Sequence, residues 1–567
     1  MNRVPIEMTN WELHKPSFEV FLKSLWDDFV EFLRSKSWRE WHWGLRLAVA
    51  ILIPTAIVCI YIFRYLWEPY VFFVPRIYAG AIVLALALTV GGWFGVGALV
   101  GWLFPSSKTL VRYLRPAGAV LGLVLLLFGA GYAEPLHTFF SQYWRFQTLN
   151  TVEPKVDPLT DHERIWSLDG IQTFVRRQMR DTETPTKAHL VREGSEYYWT
   201  MGIEPTTWLL QYWDPVEEVV RIHADITSFE LGRGRNARFA TGETLKFSRN
   251  IYTCVQRRFW FWNAFSHEVT RTTMYLKNDA GKMVQVVPII RRAGWAFPRP
   301  EFGGVMVIDE TPERSWLGER LETLKRVFWG CGTWIGPDQI ASHPYLVGQN
   351  LVPFEVTRYM AASLRFRNGF LAPTWLRREG DIRIADMPDD QNEQPFTLFF
   401  HIRNDEGKVV ASKLFQYVAL EPYDSAHQGH VAEFLHPADS IGPSYVFQFF
   451  GERESLTGVT AVPGWVRSSR RNYDWSTNLP NEHRPYIKDI PDSEGSVKTR
   501  RMWLTAVVTI DKKKYDNKDP KGFITGSPDI VITDARKNKS VWVNSDNPKD
   551  WPEQLRKELG PLWTEKP

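Results

Sequence analysis

Apolar positions in the N-terminal quarter of the chain fall in three runs that no charge interrupts. The first is the 17 residues from Leu47 to Phe63, the second the 31 between Arg76 and Lys108, and the third the 18 between Arg115 and Glu134. A membrane-spanning helix needs about 20 apolar residues, with roughly 17 the lower limit. The pattern therefore predicts three transmembrane helices within residues 46–133. Pro54 is compatible with the first of them, because membrane helices tolerate proline, and Arg, Lys, Trp and Tyr flank the runs as interfacial anchors do. Upstream, within residues 1–45, Phe18, Phe21, Leu22, Leu25, Trp26, Phe29, Phe32 and Leu33 recur at steps of three and four. That spacing predicts an amphipathic helix capped by Ser17. Its other face carries Glu19, Lys23, Asp27, Asp28, Glu31 and Arg34, so a helix lying at a lipid interface and a partner-binding helix both fit.

Beyond residue 133 the period changes. Residues 134–165 show little periodicity and read as a stalk, and the remainder reads as strand-rich α+β. Leu276-Lys277-Asn278-Asp279-Ala280-Gly281-Lys282-Met283-Val284 parallels Ile402-Arg403-Asn404-Asp405-Glu406-Gly407-Lys408-Val409-Val410. In both, Asn-Asp starts a bend and glycine supplies a positive φ, which predicts two β-hairpins and raises the question of two related domains. Asp534 to Lys539, before Val541-Trp542-Val543, predicts a further hairpin. Val305-Met306-Val307-Ile308 reads as a buried strand. A helix then opens at Thr311-Pro312 with an apolar stripe of Trp316, Leu317, Leu321, Leu324 and Phe328. A second helix is predicted from Pro353 through Val356, Tyr359, Met360 and Leu364. The Gly/Pro-rich passage between them, Gly330 to Pro344, divides two expected domains, 166–340 and 341–567. A short polar helix is expected between Pro548 and Pro567.

Composition adds orientation. The 567 residues carry 68 Lys and Arg against 64 Asp and Glu, a balance that gives no reason to expect nucleic acid as a partner. The excess lies wholly in residues 1–133. Placing the N-terminus and the 105–115 loop on one side puts ten basic residues there against two, Arg64 and Arg76, on the other. The positive-inside rule then expects a multi-pass membrane protein with a cytoplasmic N-terminus and residues 134–567 extracytoplasmic. Acidic residues ahead of the first apolar run argue against a cleavable signal peptide.

Candidate chemistry is sparse. Gly91 with Gly95, Gly97 with Gly101, and Gly118 with Gly122 repeat at four-residue spacing, which lets a neighbouring helix approach closely. No Asp, Glu, Lys, Arg or His lies within the three runs, so a transport path made by this chain alone is not expected. Arg233, Arg235 and Arg238, in a loop begun by Gly232 and Gly234, could form an anion-binding nest. His427, His430, Glu433 and His436 are all metal-ligand types, but steps of three share neither a helix face nor a strand face. Cys254 and Cys331 could pair across 77 residues in an oxidising compartment. Gly330-Cys331-Gly332 with His343 matches no nucleophile signature, and no cofactor fingerprint is present. Arg257-Arg258-Phe259-Trp260-Phe261-Trp262 is rich in the residues that anchor interfaces. These features lead to the expectation of a non-catalytic, membrane-anchored scaffold or assembly subunit of an envelope complex. Its partners would be membrane lipids and other membrane subunits, including copies of itself. The alternative is a membrane-tethered extracytoplasmic enzyme or ligand-sensing domain.

Overall fold

The computed structural model describes residues 43–62, a few isolated positions before residue 135, and most of 135–564. The segments 226–231, 235–236, 260–265, 295–296, 310–314, 371–380, 388–393, 424–428, 449–455, 512–522 and 525–527, and residues 136 and 195, are outside the description. The chain divides into two compact units, Met1–Leu66 and Trp67–Pro567. In the first, helix α1 (Trp43–Ile62) contains Pro54. Among the described residues no helix is long and apolar enough to cross a membrane. That finding overturns the expectation of a multi-pass membrane protein with its large region outside the cytoplasm. The described helix α1, 20 residues long, carries Arg46 in its first turn and Pro54 within it. The other two expected spans, with Gly91, Gly95, Gly97, Gly101, Gly118 and Gly122, lie outside the described residues, apart from Val90, which is helical. So does the expected amphipathic helix, apart from Asp27 and Glu31, both helical.

The second unit is mixed α+β, rich in strands. After α2 (residues 137–148) it repeats one plan four times, a helix followed by a four-stranded antiparallel meander. Module I comprises α3 (Leu168–Gln178) and strands β1 (His189–Glu193), β2 (Glu196–Pro205), β3 (Glu218–His223) and β4 (Gly232–Gly234). Module II comprises α4 (Ile251–Arg258), β5 (Met274–Lys277), β6 (Met283–Ala293), β7 (Arg299–Ile308), the inserted α5 (Trp316–Trp329) and β8 (Thr333–Ile335). Module III comprises α6 (Phe354–Ser363), β9 (Phe396–Arg403), β10 (Val409–Pro422), β11 (Ala432–Pro437) and β12 (Ser444–Gln448). Module IV comprises α7 (Val462–Ser469), β13 (Asn478–Pro491), β14 (Val497–Asp511), β15 (Asp529–Asp534) and β16 (Ser540–Val543), followed by α8 (Trp551–Thr564). In modules I to III a short strand ahead of the first one (Glu183–Pro185, His267–Val269, Ile382–Ile384) pairs with the far part of the second. It acts as a broken first half of the hairpin. In module IV the first strand is unbroken over its 14 residues.

Local chemistry sets the hairpins. The Asn278 and Asn404 side chains accept from the amides two and four residues on, and Gly281 and Gly407 close the turns at φ 75° and 79°. Asp492 makes the same turn with Glu494, Ser496 and Gly495. All three turns join the first two strands of a module, so the likeness seen in the sequence marks equivalent places in modules II and III. Asp534, which accepts from Arg536 and Lys537, turns β15 into β16.

Alternation along each strand gives every sheet two apolar faces, and neighbouring modules share them in a closed cycle. Val284, Val286 and Val305 of module II meet Val418, Leu420 and Phe434 of module III around α6. Phe400, Phe415 and Tyr417 of module III meet Ile487, Trp503 and Val531 of module IV around α7. Tyr486, Met502 and Leu504 of module IV meet Trp199, Met201 and Val220 of module I around α3 and α8. Val219 and Phe239 of module I meet Tyr275 of module II. Within residues 134–165, Phe139 and Tyr143 of α2 pack on Phe366 and Phe370, while Thr151–Val152 and Leu159–Asp161 extend the sheet of module III at its two edges.

Candidate functional site

The structure disperses most of the residues that the sequence singles out. Gly232–Gly234 is a strand paired with β3, and Arg238 is exposed 3.8 Å from Glu217. Arg235 and the Arg233 side chain lie outside the described residues. His430, Glu433 and His436 are buried, and His427 is outside the description. Glu433 and His436 point to opposite faces of β11, as odd spacing on a strand requires. Glu433 meets His430 at 3.2 Å, Tyr417 at 3.3 Å and Arg501 at 3.5 Å, while His436 meets Ser444 at 2.9 Å. Burial works against the Glu433 charge, but Arg501 and His430 outweigh it and hold the carboxyl below its ordinary value. Among the described residues no group of three or more Asp, Glu, His or Cys is placed to hold a metal.

Cys254 on α4 and Cys331 after α5 form a disulfide in the structure, with Cα atoms 5.3 Å apart, and both are buried. Gly330 makes the approach possible. It ends α5 at φ 72°, and a Cβ there would lie 2.4 Å from Arg258 N and 2.5 Å from Cys254 O. In protein purified without reductant and unfolded in iodoacetamide, one of the three cysteines (Cys59) is expected to be alkylated, and all three after reduction. Reduction should lower stability by about 2–4 kcal/mol. Alkylation of all three without reductant would contradict the pairing.

Two further clusters had no local sequence signal, because their members come from distant parts of the chain. In the first, Glu204 of β2 accepts from the amides of Glu243 and Thr244 at 2.6 and 2.7 Å. Gly242 is required here, since a Cβ would stand 2.4 Å from Glu204 Oε1. Glu243 lies near the Lys187 amide and the Tyr252 and Thr273 hydroxyls, which act to lower its pKa. Burial, reinforced by the Glu204 charge, raises its carboxyl to about 8, so it is protonated at neutral pH.

The second cluster surrounds a cavity of ≈ 70 Å³ where modules I, III and IV meet. By that measure a single water needs about 10–15 Å³. Its walls include Leu168 at the start of α3, Phe354 at the start of α6, Trp199 of β2, Phe396 of β9 and Glu482 of β13. Glu482 occupies a bulge between Asn481 and His483 at φ 46°, a strained conformation that re-aims a side chain out of the ladder. There it pairs with Arg164, lies 3.8 Å from Arg484, and accepts from the Leu168 amide at 3.2 Å. All three charged side chains are buried, so two guanidiniums share one carboxylate. Burial, then the neighbouring Arg484, lowers the Arg164 pKa well below its ordinary value. His189, also lining the cavity, is held neutral, its pKa lowered by burial to about 3.

The surface has one feature that inverts the usual plan. The apolar stripe of α5 faces outward: Leu317, Leu321, Leu324 and Trp329 are each more than half exposed, while Arg326 and Val327 are buried. Trp208, Leu209, Tyr212 and Trp213, on the turn after β2, are exposed as well. Arg320 of α5 stacks over Trp213 at 5.3 Å and joins the two patches. Exposed Lys246, Arg258, Arg320 and Lys325 lie on the same elements or on those packed against α5.

No family model matches the chain, and no curated protein does. A solved structure of an uncharacterized protein from Eubacterium rectale matches 48% of this chain and 76% of its own, at 9% identity and a TM-score of 0.14. A score that low carries no argument about fold or function.

Proposed function

We propose that this chain is a non-catalytic assembly subunit that docks an amphipathic helix of a different protein across α5 and the Trp208–Trp213 turn. The observation that carries this reading is the outward-facing stripe of Leu317, Leu321 and Leu324. Leucines at steps of four and three on an exposed helix form a seam for a second helix, and a continuous apolar patch edged by polar groups is the usual mark of an interaction surface. Trp208, Trp213 and Arg320 add the residue types that dominate binding energy. Lys246, Arg258 and Arg320 at the edge of the stripe favour a partner with acidic flanks, while Lys325 is already paired with Glu322 on the same helix.

Leu317, Leu321 and Leu324 are exposed, so changing all three to Asp should leave the fold within about 1 kcal/mol of its original stability. The same change should release the chain from its assembly, because loss of a hot spot costs about 2 kcal/mol or more. Co-purification from the source, compared by size-exclusion chromatography, measures this. An unchanged assembly in the triple variant would sink the proposal.

A further inference from the structure

The cavity between modules I, III and IV has hydrogen-bond donors that the protein does not use. Arg164 Nε and Trp199 Nε1, both on its lining, are buried with no hydrogen-bond partner among the described residues, as is the His189 Nε2 atom beside them. Arg164, Trp199 and His189 line the cavity, and the Arg164 guanidinium lies over the Trp199 ring at 5.1 Å. Their side chains are more than nine-tenths buried. Buried polar atoms are nearly always satisfied, and unsatisfied ones call for an explanation. Glu482 is the carboxylate paired with Arg164, and it lies near Arg484 as well, where Glu163 also acts. Lys187, exposed but also a lining residue, adds a third cation. The rest of the lining is mostly apolar, with Leu190, Phe354 and Phe396 among it. Ligand pockets typically combine such walls with a few polar groups that fix orientation.

We propose that this cavity binds a small organic carboxylate. Its charge would meet Arg164 and the Trp199 N–H, and its hydrocarbon body would lie against Trp199, Phe354 and Phe396. The site is independent of the docking surface on α5. An inorganic anion would satisfy the charge but leave the apolar walls without a partner. A neutral molecule of the same shape would offer the Arg164 Nε and Trp199 Nε1 donors a weaker acceptor.

The test uses the full chain and three probes: sodium benzoate, benzamide and inorganic phosphate, each followed by thermal shift and isothermal titration. Benzoate should raise Tm saturably and bind at least about tenfold more tightly than benzamide, the scale of a hydrogen bond to a charged group. Phosphate should give no saturable response. Trp199→Phe keeps most of the ring and removes the donor, and it should weaken benzoate binding by about tenfold. Equal binding of benzoate and benzamide would overturn the proposal, as would the absence of any saturable response to benzoate. Unchanged benzoate affinity in the Phe variant would do so too, by placing the ligand elsewhere. Should that variant not fold, the comparison of benzoate with benzamide on the unaltered chain still decides.

Discussion

Between pH 4.5 and pH 8, the Glu243→Gln variant is expected to gain stability relative to the unaltered protein, by about 1.4 kcal/mol per pH unit and about 4–5 kcal/mol in all. In the unfolded chain this carboxyl loses its proton near 4.5. In the folded chain burial, reinforced by the Glu204 charge, keeps the proton on up to about 8. Over that interval the folded state therefore binds one proton more than the unfolded state, and stability falls as pH rises. The loss is complete once pH passes 8. Glutamine keeps the acceptor oxygen for the Lys187, Tyr252 and Thr273 donors and cannot ionise, so its stability lacks this slope. Urea unfolding of both proteins across the range measures the difference, and parallel curves would contradict the assignment. Three buried histidines act in the opposite sense. Burial lowers His189, His436 and His483 to about 3, so each is neutral in the fold yet protonates near 6.5 once unfolded. Each therefore costs stability as pH falls below 6.5, by about 1.4 kcal/mol per unit.

The second large effect concerns Glu482. Glu482→Gln removes the carboxylate that Arg164 and Arg484 share and weakens the acceptor of the Leu168 amide. Removing one partner from a buried ion pair leaves uncompensated charge in a low dielectric, and a loss of about 3–5 kcal/mol is expected in chemical denaturation. Changing Arg164 to Met in the same protein should recover part of that loss, since a cation is removed with its counterion. A loss below about 1 kcal/mol would mean that water reaches these groups freely.

The sequence carried some of this architecture in readable form. Asn278 and Asn404 announced their hairpins because a turn needs only an Asx side chain and a positive-φ glycine at fixed spacing. Asp492 to Ser496 follows the same rule, with serine where the other two have lysine, and it escaped notice. The helical stripe of Leu317, Leu321 and Leu324 was legible too. Periodicity shows that a helix has an apolar face, but not whether that face turns inward. The four modules have no such signature, because the repeated feature is strand order rather than residue identity. The cavity was invisible for a related reason: Arg164, Trp199, Phe354 and Glu482 come from four distant parts of the chain. In the N-terminal quarter, uncharged run length and flanking anchors predicted three spans, whereas among the described residues no helix is long and apolar enough to cross a membrane.

Native mass spectrometry of the protein isolated from its source tests the central claim most directly. If the chain is an assembly subunit that docks a different protein on α5, the intact particle should exceed 65.9 kDa by a mass that is not a multiple of the chain's own. Gas-phase activation should then release this chain and a second, distinct polypeptide. A particle of 65.9 kDa, stable at the concentrations found in the source, would contradict the account.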